Sequence, residues 1–226
     1  MKKKWIKAAG ILMAVATVLS LASCSKKNKD AEAETTTEAV ETTPAVTTGN
    51  VVRTGSEGLS FSVTGNGECT LTGLGSCTDT AVSIPATDEN GNLVTAIAAG
   101  AFRSTRVSAV EIPETVREIA DGAFAGCSKL SYISVSLRNG NFRSVDGVLY
   151  DSGMTTLICY PGARVGGTLS IPSSVTVIAP YAFSDCTTLK TVEFAGSSEE
   201  WKDVDVGDDN AILTSAKVSY AKEDGK

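Results

Sequence analysis

The sequence contains no histidine. Histidine is the usual general base near neutral pH and the commonest metal ligand, so its absence excludes His-based triads and most familiar hydrolase mechanisms. Aromatic residues are also scarce, with two tryptophans and five tyrosines in 226 residues. Glycan cleavage or binding needs paired carboxylates and aromatic platforms, and the sequence offers neither clearly. We therefore expect a protein that is not an enzyme and has no cofactor or metal.

The six cysteines form no C-x-x-C pair, so neither a zinc site nor a thioredoxin-like redox site is indicated. Cys127 and Cys186 occupy the same place in a repeated pattern, and we expect them to be buried, apolar and free. An insertion separates them along the chain, which should keep them beyond bridging distance. Cys69 and Cys77 flank a predicted turn, and whether they pair stays open at this point.

Positive charge is concentrated at the start of the chain. The first 23 residues hold four lysines and no acidic residue, which leaves 16 basic and 26 acidic residues and a net charge near −10 for the rest. Nucleic acid is therefore not an expected partner. The length and the 42% hydrophobic content predict one folded domain with appendages.

Residues 1–23 have the features of an export signal: a basic start, an apolar run from Ala8 to Leu19 and small residues before Cys24. The run is short for a membrane span. Residues 21–24, Leu-Ala-Ser-Cys, resemble the lipobox of bacterial lipoproteins, in which the cysteine receives a diacylglycerol and the chain is cut before it. The resemblance implies a lipid on Cys24 and a location at the outer face of the bacterial membrane or the cell surface. The alternative is an ordinary secretory signal with an incidental cysteine.

Residues 24–58 begin with the cysteine and continue as a segment rich in threonine and glutamate. It has almost no large apolar residue, which is typical of a disordered linker. A flexible chain of this length has a reach of about 30 Å. O-glycosylation of its threonines is an open alternative.

A six-residue phrase, Ile-Ala-x-x-Ala-Phe, begins at Ile97, Ile119 and Ile178. Its apolar positions at i, i+4 and i+5 fall on one side of a single helical turn, so we interpret each copy as such a turn. After each phrase, apolar residues follow at offsets 0, 3 and 5: Val107, Val110 and Ile112; Leu130, Ile133 and Val135; Leu189, Val192 and Phe194. This L-x-x-L-x-L pattern is the signature of a leucine-rich repeat, with alternate side chains of a short strand pointing inward.

A unit of one strand and one return, 22 to 23 residues long, buries its apolar edge only by stacking on similar units. The pattern therefore predicts a solenoid. A buried helix with chance Ala-Phe pairs is the alternative, but it does not explain why both patterns recur together in the same order.

Over roughly residues 59–220 the repeats resemble the BspA-type leucine-rich-repeat family of bacterial cell-surface proteins. Residues 123–130, AFAGCSKL, and 182–189, AFSDCTTL, carry the Ala-Phe, Cys and Leu of the family repeat. The first repeat departs from it, because it lacks the cysteine and is one residue shorter. The resemblance implies a β-rich (α+β) solenoid of short stacked strands, with irregular or single-turn helical returns and one β-hairpin insertion. It also implies a protein-interaction or adhesion function. Beyond the repeats, we expect residues 221–226 to form a C-terminal tail.

Irregular segments interrupt and close the predicted stack. Residues 59–85 predict an N-terminal hairpin cap, and residues 144–161 predict a hairpin insertion that turns at 151–153. Trp201 is expected to cover the last rung. The acidic stretch at 203–210 superficially resembles a calcium loop but lacks its glycine and closing glutamate, so we interpret it as a solvated loop.

The outward strand positions are the candidate binding site. Tyr132 is the only aromatic residue among them, and Glu111, Lys190 and Glu193 surround it in the predicted stack. Charges of both signs around an aromatic residue suit a protein partner better than a polyanion. Two alternatives stay open: a structural, envelope-spacing lipoprotein without a dedicated ligand, and a glycan-binding lipoprotein.

Overall fold

The computed structural model describes residues 55–103 and 106–222. Within these ranges the chain forms fifteen short β-strands and two short helices. Cys24, the export signal and most of the linker lie outside the described residues. In chain order the elements are β1 (Ser60–Gly65), β2 (Glu68–Gly73), β3 (Ala81–Ser83), β4 (Leu93–Ile97), β5 (Ala109–Ile112), β6 (Glu118–Ile119), β7 (Tyr132–Val135), β8 (Phe142–Val145), β9 (Val148–Asp151), β10 (Thr156–Cys159), β11 (Thr168–Ile171), β12 (Val177–Ile178), β13 (Thr191–Phe194), α1 (Ser198–Lys202), β14 (Asp205–Val206), α2 (Ile212–Ser215) and β15 (Lys217–Tyr220).

The L-x-x-L-x-L segments form two parallel stacks, β3-β5-β7 and β11-β13-β15. The strands are in register, so that Val110 lies between Val82 and Ile133, and Val192 lies between Leu169 and Val218. Inward apolar side chains meet their equivalents on the neighbouring rung because successive residues of a strand point to opposite faces. The predicted β-rich leucine-rich-repeat solenoid is confirmed.

The Ile-Ala-x-x-Ala-Phe phrases are irregular turns rather than helical ones, so of the two kinds of return that were expected the structure has the irregular one. Each isoleucine ends a short strand in a second set of sheets: Ile97 in β4, Ile119 in β6 and Ile178 in β12. After Ile97 the chain makes a four-residue turn in which the Ala101 N–H donates to the Ala98 carbonyl at 3.2 Å. The Ala120 N–H instead reaches the previous rung and donates to the Ile97 carbonyl at 2.9 Å. A helical turn would use these backbone groups internally and leave the rungs unlinked.

The fourth residue of each phrase has a positive φ: 66° at Gly100, 69° at Gly122 and 60° at Tyr181. A type II turn requires such a residue at its third position, where glycine fits without strain. The second Ala and the Phe of every phrase are nevertheless buried, as the spacing indicated, and so are two of the three isoleucines, whereas Ile119 is only partly buried.

Aromatic rings stack inside the solenoid. Phe102 and Phe124 lie with ring centroids 5.2 Å apart and planes 12° from parallel, and Tyr160 and Phe183 repeat the contact at 5.3 Å. Cys127 and Cys186 are buried and form no disulfide, as predicted, and the Cys127 thiol donates to the Phe102 carbonyl. Cys69 and Cys77 are also buried and free, which closes the alternative left open above.

The irregular segments close the two ends of the stack. β1 and β2 form the predicted hairpin, with its turn at Asn66-Gly67, and β2 pairs in parallel with β4. At the other end, Trp201 on α1 packs against Phe194 with centroids 5.1 Å apart, as predicted. The acidic stretch is only partly a solvated loop: Asp205-Val206 forms β14, which pairs with β12, and Asn210 is buried.

The insertion contains three strands rather than two. β9 and β10 form the hairpin predicted around residues 151–153, and β8 pairs with β9 through a second, tighter turn at Asp146-Gly147. Asp146 and Gly147 have φ values of 50° and 81°, which is typical of a two-residue hairpin turn. We call residues 145–148 the hairpin tip.

Candidate functional site

Tyr132 and Glu111 lie on the outward face of the first stack, on adjacent strands. Tyr132 is opposite Ala109, and Glu111 is opposite Ser134. Half of the Tyr132 surface, 50%, is exposed. The Glu111 carboxylate accepts a hydrogen bond from the Ser83 hydroxyl at 3.3 Å, which joins it to the next strand of the sheet.

The hairpin tip lies directly beside Tyr132. The Ile133 N–H donates to the Gly147 carbonyl at 3.1 Å, and the Ser144 hydroxyl donates to the Ile133 carbonyl. A Cβ added to Gly147 would stand 2.5 Å from the Tyr132 ring, so the ring rests on the backbone of the tip. This close approach and the positive φ both require glycine at this position.

Arg164 fixes the tip from the other side. Its Nε donates to the Asp146 carbonyl at 3.0 Å and its Nη1 donates to the Thr168 carbonyl, at the start of β11, at 3.4 Å. The guanidinium carbon also stands 5.7 Å from the centre of the buried Tyr160 ring, within the range of a cation–π contact. The tip therefore occupies the place of a rung between β7 and β11.

The four residues predicted as one site fall into two groups because of this tip. Glu193 lies in β13, between Ser170 and Ser219, and Lys190 immediately precedes the same strand. Between Glu111 and Glu193 stand β7, the tip and β11, which at about 4.8 Å per strand separates their backbones by about 19 Å. Tyr132 and Glu111 are thus neighbours, whereas Lys190 and Glu193 belong to a second surface.

That second surface contains a groove of about 680 Å³ which the sequence did not reveal. Val145 and Asp146 of the tip form one end, and Tyr220 of the last strand forms the other. Between them run two in-register rows of outward residues: Ser170, Glu193 and Ser219, and then Pro172, Ala195 and Ala221. The second row is the feature of the sequence that could have indicated the groove. Its three residues are small, whereas longer side chains would cover a flat repeat face.

The charges around the groove are unevenly distributed. Asp146 and Glu193 are the charged side chains of its lining, and the Glu193 carboxylate accepts a hydrogen bond from the Ser170 hydroxyl at 2.9 Å. Lys190 and Lys217 lie at the opposite ends of their strands, and Lys222 forms an ion pair with Glu200 at 3.1 Å. The groove is therefore apolar with an acidic rim.

Three buried polar side chains, Cys159, Tyr150 and Asn210, have a structural role in the core. Burial raises the pKa of the Cys159 thiol and raises the pKa of Tyr150 to about 12, so both groups stay neutral at physiological pH. Asn210 is 5% exposed; its amide donates to the Ala179 and Gly207 carbonyls and accepts from the Phe183 N–H, all at 2.9 Å. These contacts make Asn210 a substitute for the backbone of a further rung.

Parallel rungs with an L-x-x-L-x-L strand and a turn-linked second strand define a leucine-rich-repeat domain. The model of the BspA type leucine rich repeat region matches residues 89–150 and 167–204, in six copies. The repeats in these two stretches are therefore similar to that family. Leucine-rich-repeat domains are in general protein-interaction modules and typically non-enzymatic scaffolds. Proteins with BspA-type repeats are typically surface or secreted proteins of bacteria. None of the described residues belongs to a helix long and apolar enough to cross a membrane.

Several solved structures are similar to the chain. A leucine-rich repeat protein from Eubacterium ventriosum is 27% identical with a TM-score of 0.50, and the match covers 63% of this chain and 42% of that one. The pneumococcal vaccine antigen PcpA is 19% identical with a TM-score of 0.44, over 62% of this chain and 38% of that one. A leucine rich cell surface protein from Faecalibacterium prausnitzii is 27% identical with a TM-score of 0.40, over 55% and 36%. The match thus spans less than half the length of each of these three proteins. No curated protein matches the chain.

Proposed function

We propose that this protein is a lipid-anchored bacterial surface protein whose repeat domain binds a protein partner through its outward strand face. The observation that carries the proposal is the half-exposed Tyr132 ring, which is held in place by the backbone of Gly147 beneath it. A rigid aromatic side chain loses little conformational entropy on binding, and tyrosine is enriched among the residues that dominate interface energies. Glu111 on the adjacent strand supplies a charge beside it.

The binding face is tested by capture of surface proteins from host or neighbouring cells on the immobilised domain. We expect Tyr132→Ala combined with Glu111→Lys to weaken capture at least tenfold, which corresponds to about 1.4 kcal/mol. Tyr132→Phe keeps the ring over Gly147 and serves as the matched control. The melting temperature of each variant separates lost binding from lost folding.

Two outcomes would contradict this function. Undiminished capture by the double variant would remove the Tyr132 face from consideration. A parent domain that captures no surface protein would instead favour a structural, envelope-spacing lipoprotein.

The anchor is proposed from the Leu-Ala-Ser-Cys sequence that ends at Cys24. We expect Cys24→Ala to release the protein from membrane fractions and to abolish incorporation of labelled palmitate. Ser23→Ala, which keeps a small residue before the cysteine, should leave the protein in the membrane. A Cys24→Ala protein that is still labelled and still membrane-bound would overturn the anchor.

A further inference from the structure

The groove between the hairpin tip and Tyr220 is a separate surface from the Tyr132 face. Its centre is made of the small side chains Pro172, Ala195 and Ala221, and it crosses three parallel strands. At about 4.8 Å per strand, the strand-crossing part is about 10 Å long. An extended peptide rises about 3.3 Å per residue, so about three or four residues would fill it.

The floor favours apolar side chains. The outward residues there carry no group larger than the proline ring, and the buried Ile171 and Phe194 lie directly under the floor. An apolar side chain that enters the groove would displace water from this surface, at about 25 cal/mol for each Å² that is buried.

The rim favours positive charge. Glu193 is exposed on the central strand, and its orientation is fixed by the Ser170 hydroxyl. Asp146 is exposed at the end of the tip, where Arg164 binds its backbone carbonyl. The Arg164 guanidinium also contacts the Thr168 carbonyl and the Tyr160 ring, and Arg164 is not one of the residues that line the groove. A ligand therefore meets two carboxylates around an apolar floor.

We propose that this groove binds an extended protein segment in which an apolar side chain is flanked by lysine or arginine. The apolar side chain lies on Ala195, and the flanking cations reach Glu193 on one side and Asp146 on the other. The inference rests on the proposed function in that it names a partner class for the same domain, but it assigns the contact to a different surface.

The test measures the binding of three fluorescein-labelled heptapeptides to the full-length protein by fluorescence anisotropy. The first peptide alternates lysine and leucine between terminal glycines; the second has glutamate for lysine, and the third has serine for leucine. We expect the lysine–leucine peptide to bind at least tenfold more tightly than either of the others. Its affinity should fall as salt is added, since the carboxylates are exposed.

Two variants locate the binding. Glu193→Lys reverses the central charge, and Ala195→Trp fills the floor of the groove. Each variant should lower the affinity for the lysine–leucine peptide at least tenfold. Glu118→Lys makes the same charge change at an exposed position of β6, in the second set of sheets, and should leave binding unchanged. Because Glu193 and Ala195 are both exposed, all three variants should melt close to the parent.

Equal binding of the lysine and glutamate peptides would overturn the proposal, as would unchanged binding by Glu193→Lys and Ala195→Trp. A Glu193-dependent dimer in analytical ultracentrifugation, without peptide binding, would also overturn it and would make the groove an interface between two copies. This result can be distinguished from that of the Tyr132 experiment. If the Tyr132 and Glu111 double variant loses capture while the parent protein binds no peptide, only the groove is rejected. Peptide binding with undiminished capture in that variant rejects the Tyr132 face alone.

Discussion

Phe124→Ala is the most direct test of the rung stacking. Phe124 is 6% exposed, and its ring lies 5.2 Å from that of Phe102 with the planes 12° apart. The neighbouring void, between Phe124 and the turn that begins at Ala179, measures only about 10 Å³. The substitution therefore opens a cavity in a site that is already closely filled.

The expected cost follows from these contacts. An aromatic side chain buries roughly 150–250 Å², which at about 25 cal/mol per Å² corresponds to about 4–6 kcal/mol. Alanine keeps the Cβ part of this area, while the lost ring stacking and the new cavity add to the cost. We therefore expect a loss of about 3–5 kcal/mol, within the range typical of Phe-to-Ala changes in cores.

The assay is thermal unfolding followed by circular dichroism, with urea unfolding to give the free energy. For a domain of this size about 2–4 °C of melting temperature corresponds to 1 kcal/mol, so we expect a decrease of about 6–20 °C. Leu137→Ala is the matched control, because Leu137 is fully exposed at 104% and its loss should change stability by less than about 0.5 kcal/mol. A Phe124→Ala melting temperature within about 2 °C of the parent would refute the stacking described here.

Two further predictions concern buried polar groups. Asn210→Ala should lower the free energy of unfolding by about 2 kcal/mol or more, because it leaves the Phe183 N–H and the Gly207 carbonyl without their partner and removes one of two donors to the Ala179 carbonyl. Unfolding in urea measures this, and the exposed Asn90→Ala is the control. An equal effect of both substitutions would contradict the prediction. The five cysteines of the described domain should react with iodoacetamide only after unfolding, since all are buried and burial raises the pKa of the Cys159 thiol. Mass spectrometry of the native protein checks this, and rapid labelling of Cys159 at pH 8 would contradict it.

The strand half of each repeat could be predicted from the sequence, because its signal is local and repeated. Offsets 0, 3 and 5 place Val107, Val110 and Ile112 inward whatever the rest of the chain does, and all three are buried. The hairpin at the start of the repeat domain could also be predicted, since Asn66-Gly67 between alternating apolar residues is a strong turn signal.

The return half was less predictable because its strands are too short to show their period. β6 and β12 have two residues each, so alternation cannot be seen, and the remaining spacing of Ile, Ala and Phe also fits a helix. Gly100 and Gly122 at the fourth position were a signal for a turn with positive φ. The third copy hides it, because Tyr181 adopts the same conformation with a φ of 60°.

The candidate surface was only partly predictable, because one non-local contact decides it. Tyr132 was recognised as an outward residue from its strand position alone. The separation of Glu111 from Glu193 depends on where the tip docks, and that is set by Arg164, which is 18 residues away from Asp146 along the chain. No periodic pattern contains this information.

The insertion also explains why this solenoid has a groove. In an uninterrupted stack each rung adds the same outward positions, and the face stays even from rung to rung. Here the tip takes one place in the stack with a two-residue turn, and its Val145 and Asp146 end at the edge of the small residues that follow on β11 and β13. The repeats thus supply a regular scaffold, while the recognition surface arises where the repeat is broken. The same tip supports the Tyr132 ring through Gly147, so one short hairpin positions both candidate binding surfaces.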